Sequence, residues 1–86
     1  MKDKKGLYYY PFPANKNVRM YVRKNADTVE FRLSNEGDPN LWDDHGWVPY
    51  DAIVQAKEMY KGGTFDPDTA YDLEIAEALI SGDQKP

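Results

Sequence analysis

Val18-Arg19-Met20-Tyr21-Val22-Arg23-Lys24-Asn25-Ala26-Asp27-Thr28-Val29-Glu30-Phe31-Arg32-Leu33 reads as two strands and a turn. Val18, Met20 and Val22 alternate with Arg19, Tyr21 and Arg23, and Val29, Phe31 and Leu33 alternate with Thr28, Glu30 and Arg32. Apolar residues at a period of two mark strands with one buried face. Lys24-Asn25-Ala26-Asp27 between them is turn chemistry. A hairpin centred on Asn25-Ala26 pairs Val22 with Val29, Met20 with Phe31 and Val18 with Leu33. One face is then wholly apolar, and the other is polar or tyrosyl and faces water. A slip of one residue would turn arginines into the core, so the inward face is strongly specified.

Upstream, Leu7-Tyr8-Tyr9-Tyr10 is β-prone, and Pro11 and Pro13 end it or hold it to a sheet edge. Residues 1–6 read as a flexible tail. Downstream, 34–40 is a loop by composition. A helix is expected next, with Pro49 in its first turn, Asp51 at its positive end and Gly62-Gly63 stopping it. Tyr50, Ile53, Val54, Ala56 and Tyr60 make its apolar stripe. A second helix is expected from an Asp66 N-cap and Pro67 to Gly82, with Tyr71, Ile75, Ala78 and Leu79 inward and Asp72, Glu74 and Glu77 outward. Strands followed by helices make the fold class α+β. The expected architecture is a three-stranded antiparallel sheet (β-β-β) with two α-helices packed on one face. It forms a single small domain over residues 1–86, with tails at 1–6 and 82–86.

The chain has 86 residues, 15 Asp and Glu against 11 Lys and Arg, one His and no Cys. At this length a single core is barely sufficient, and neither a disulfide nor a thiolate zinc site can reinforce it. The absence of cysteine fits a reducing compartment. With no apolar signal segment and no stretch approaching a membrane span, a soluble cytoplasmic protein is expected. The net charge of −4 is partitioned: residues 1–35 carry eight Lys/Arg against three acids, and residues 36–86 carry three against twelve. Overall acidity argues against broad nucleic-acid binding. It leaves room for a local basic face and for head-to-tail association of copies through opposite charges.

Both tryptophans and the single histidine fall in Asn40-Leu41-Trp42-Asp43-Asp44-His45-Gly46-Trp47-Val48-Pro49-Tyr50, a stretch too acidic and punctuated for a regular core element. An indole or two folding over the open end of the hairpin's apolar face would complete a small core. An indole left partly open would anchor a partner. Asp43, Asp44 and His45 have metal-ligand chemistry, but adjacent loop residues seldom converge on one ion and no second His or Cys is present. Arg19, Tyr21, Arg23 and Arg32 form a second candidate, since arginines interleaved with tyrosines on an open sheet hold single-stranded nucleic acid. In the register above Arg19 faces Arg32, an unfavourable pair that needs an offsetting charge. No phosphate loop, nucleophile elbow or metal-binding motif occurs, and no cofactor is expected. The chain therefore reads as a small non-enzymatic interaction module that binds a protein through Trp42, His45, Trp47 and Tyr50. The second reading is single-stranded nucleic-acid binding by Arg19, Tyr21, Arg23 and Arg32.

Overall fold

The computed structural model describes residues 1–59 and 70–83. Its elements are β1 (Lys2–Asp3), β2 (Gly6–Tyr9), β3 (Val18–Asn25), β4 (Thr28–Asn35), α1 (Asn40–Asp44), β5 (Val48–Pro49), α2 (Tyr50–Met59) and α3 (Leu73–Asp83). The strands form an antiparallel sheet in the order β1-β2-β3-β4-β5. The α+β class is as expected, with two short strands and a short helix in addition. The segment read as an N-terminal tail supplies β1, because Lys4-Lys5 is a two-residue turn that folds Lys2 back onto Leu7. Both sheet edges are blunt. β1 is two residues long, and Pro49 closes β5 with no N–H to offer a further strand.

The β3–β4 hairpin keeps its expected inward face but not its expected register. Asn25 pairs with Thr28, Val22 with Phe31 and Met20 with Leu33, around a two-residue turn of Ala26 and Asp27. The shift is two residues, so every side chain stays on its face and the hydrophobic pattern alone cannot distinguish the registers. The outer face does distinguish them. Arg23 now meets Glu30 at 2.7 Å and Tyr21 meets Arg32, whereas the expected register set Arg19 against Arg32. The cost falls on Ala26, held at φ 56°, where a β-carbon crowds the backbone by about 1 kcal/mol. In Ala26→Gly, unfolding in urea should require about 0.5–1 kcal/mol more than in the parent. An unchanged or lowered midpoint would mean that the turn does not carry this strain.

The core lies between the apolar sheet face and the helices. Tyr9, Met20, Val22 and Phe31 from the sheet meet Ile53 of α2, Ala70, and Ala76 and Ile80 of α3. Two expected helical stripes are corrected. In α2 Tyr50 and Ile53 face inward, while Val54 and Ala56 are exposed. Among the described residues Ala70 is helical, Tyr71 and Asp72 are not, and α3 begins only at Leu73, so the expected second helix is interrupted before Gly82. Asp72 caps the new start, accepting the Ile75 N–H at 3.2 Å. Tyr71 and Leu79 pack against the core as expected, Leu73, Ala76 and Ile80 join them, and Ala78 and Ile75, the latter 40% exposed, do not face inward. The cause of the interruption sits in β2. The Tyr9 hydroxyl donates to the Ala70 carbonyl at 2.5 Å and accepts the Asp72 N–H at 3.0 Å, taking the place of an intrahelical bond. The proposed stop at Gly62-Gly63, Tyr60 and the Asp66–Pro67 start lie outside the described residues.

Candidate basic aromatic cleft

The sheet face opposite the core is partly covered. β4 directs Arg32 outward, and α1, which follows a short loop, lies across it. Arg32 donates through Nε to the Trp42 carbonyl at 3.0 Å and through Nη2 to the same oxygen. That oxygen belongs to the last turn of a short helix, where carbonyls lack intrahelical donors. The Arg32 guanidinium also lies 3.9 Å from the centre of the Trp42 ring. The segment read as irregular therefore forms α1, and its tryptophans close the outer sheet face rather than the apolar one. Both indoles are half-buried.

Beneath Trp42 sits Tyr21, edge-to-face at 5.1 Å and 1% exposed. Its hydroxyl donates to Asp3 at 2.5 Å, and Arg19 reaches the same carboxylate oxygen at 3.2 Å. Burial works against the Asp3 charge, but hydrogen bonds from Tyr21 and from the Lys5 and Gly6 backbone, with the nearby Arg19 charge, hold its carboxyl below the usual range. Burial and the bond to Asp3 raise Tyr21. The ring series continues outward. Tyr8 is 5.4 Å from Tyr21 with Arg19 over it at 4.9 Å, and Trp47 is 6.0 Å from Trp42 with Arg23 over it at 4.3 Å.

These contacts settle where the sequence candidates lie. Arg19, Arg23 and Arg32 are each engaged within the chain: Arg19 with Asp3 and Glu36, Arg23 with Glu30, Arg32 with Trp42. Tyr21 is buried under an indole. Of the protein-binding set, Trp42 and Trp47 come together. Tyr50 lies on the other face, its ring 6.2 Å from that of Phe31. His45 is exposed beside a separate hollow of about 210 Å³ with Leu41, Val48 and Tyr71. Asp43 and Asp44 are exposed, and among the described residues no three His, Cys, Asp or Glu side chains gather as a metal site.

The two indoles open on a cleft of about 470 Å³. Lys2, Lys5, Arg23 and Lys24 also line it, with Leu7, Val22 and Ile80 on its apolar-face side. It occupies a notch in the sheet. Pairing of β2 with β3 ends at Leu7 and Val22, where Gly6, at φ 130°, turns the chain away, while β3 runs on to Asn25. Arg23 and Lys2 have carboxylate partners, Glu30 and Asp83; Lys5 and Lys24 have none among the described residues. Lys5 instead sits 4.7 Å from the centre of the Trp42 ring. The chain matches no protein-family model, no curated protein and no solved structure.

Lys2, Lys5 and Lys24 were not among the sequence candidates. The lysine-rich start of the chain was visible, but nothing local shows that a hairpin carries it to the tryptophans. Among the described residues no helix is long and apolar enough to cross a membrane.

Proposed function

We propose that this chain is a small interaction module that binds a segment of another protein in the cleft beside Trp42 and Trp47. The observation that carries this reading is the pairing of two half-exposed indoles with unneutralised lysines in one cavity. Indoles are the side chains that most often dominate binding energy at interfaces. A volume of about 470 Å³ suits a few side chains or a small ligand. The ring faces favour no cationic guest, because Lys5 and Arg32 already cover Trp42 and Arg23 covers Trp47. The excess charge favours an acidic one. Protein rather than nucleic acid is preferred because the arginines of the sheet face are already engaged and Tyr21 offers no ring face to a base.

Selection from a displayed library of peptides about ten residues long, spanning net charge and apolar content, tests the reading. Acidic sequences with an aliphatic or aromatic anchor should be enriched. Their affinity should fall about 30-fold in Trp47→Ala, the milder of the two tryptophan truncations, and fall further with added salt. Trp47→Ala that is folded and binds the selected peptides as well as the parent would remove the proposed site. Preferential capture of an oligonucleotide over every peptide would replace the reading with the nucleic-acid one.

A further inference from the structure

We infer that the partner of the cleft is an extended acidic segment that adds to the sheet as a strand, hydrogen-bonding to the backbone of Lys24. This rests on the protein-binding reading and specifies how the cleft is filled. Asn25 and Thr28 close a two-residue turn, so they exchange hydrogen bonds with each other. Bonding alternates along an antiparallel ladder. The N–H and C=O of Lys24 therefore point away from β4, as those of Val22 do towards Leu7. Val22 is satisfied by β2, but β2 ends one position too early to serve Lys24. No backbone hydrogen bond joins Lys24 to the β1–β2 turn. A donor and an acceptor thus face the cleft at the sheet's own spacing.

The walls fit the same occupant. Side chains of an added strand alternate between the two faces of the sheet. On one side of the notch they would meet Trp42, Trp47 and Lys5, and on the other Leu7 and Ile80. An acidic segment with apolar residues at alternate positions matches both walls and the free charges of Lys5 and Lys24.

The test uses a fluorescein-labelled peptide of about ten residues that alternates Glu and Val around one central Phe. Its binding to the full chain is followed by fluorescence anisotropy. Lys24→Gln removes the charge and keeps the N–H, while Lys24→Pro also removes the N–H, at a position where the free protein loses no ladder bond. Lys24→Pro should bind about tenfold more weakly than Lys24→Gln, and N-methylation of alternate peptide amides along one edge should weaken binding to the parent similarly. Equal affinities for the two variants, with methylation indifferent and Trp47→Ala still disruptive, would overturn strand addition and leave the cleft as a side-chain site. No peptide binding to the parent, or dimerisation of the chain through the cleft that the peptide cannot displace, would overturn both. If Lys24→Pro loses the far-ultraviolet signature of the sheet, the N-methylated peptides against the parent decide the matter alone.

Discussion

Phe31→Ala should lose about 3–5 kcal/mol of unfolding free energy and unfold at a much lower urea concentration than the parent. Phe31 has no exposed surface and stands on β4 between Val22 of β3 and Val48 of β5. Its ring also meets Tyr71 edge-on at 5.6 Å and Tyr50 at 6.2 Å. One side chain thus joins the sheet to the start of α2 and to the approach to α3. The cavity left by truncation has rigid walls on the sheet side, which limits collapse. At 86 residues a total stability of roughly 4–13 kcal/mol is expected, so the loss takes a large share of it. Urea unfolding followed by circular dichroism measures the effect, with Phe31→Leu as the milder apolar truncation at about 1–2 kcal/mol. A loss near 1 kcal/mol in Phe31→Ala would mean that this ring is not the centre of the core.

Tyr9→Phe should cost about 2 kcal/mol despite preserving the ring. The hydroxyl is both acceptor for Asp72 and donor to Ala70 at the break before α3, and its removal leaves both backbone groups without their partner. Burial also pushes this phenol up to about 12. In the unfolded chain it ionises near 10. The folded pKa is the higher one, so the Tyr9 contribution is complete below pH 10 and is withdrawn as the pH rises to 12. The parent should lose on the order of 2 kcal/mol over that interval beyond what Tyr9→Phe loses. The difference between the two proteins is the quantity read, because it isolates Tyr9 from every other group. Parallel alkaline profiles would show that the Tyr9 hydroxyl is not held in the break.

The sheet was legible in the sequence because a period of two survives in every plausible pairing of β3 and β4. Its register was not, since a two-residue shift preserves that period. The choice sets the Arg23–Glu30 pair against the strain at Ala26, side-chain and turn energies of up to about 1 kcal/mol each. The phase of α3 was hidden for a different reason. A tyrosine more than sixty positions earlier in the chain interrupts the helix, and no local pattern records it. In the site, the pairing of Trp42 with Trp47 was visible as proximity in sequence. Their placement on the outer face depends on Arg32 reaching the Trp42 carbonyl, a contact between elements. Tyr50 followed the helix to the other face, and His45 remained outside the cleft. The lysines that charge the cleft come from the tip of one hairpin and the end of another, which only the folded sheet brings together.

The most direct test of the cleft is a titration of the isotopically labelled chain with the Glu/Val/Phe peptide, followed by two-dimensional amide and indole NMR. The expected result is that the indole N–H signals of Trp42 and Trp47 and the backbone amide of Lys24 move together, with one saturation curve. The Lys24 amide should become protected from exchange as it acquires a partner, while the Val54 and Ile75 amides on the exposed helix surfaces stay in place. Saturable shifts confined to α2 and α3, with the two indoles unmoved, would contradict a binding site in the notch.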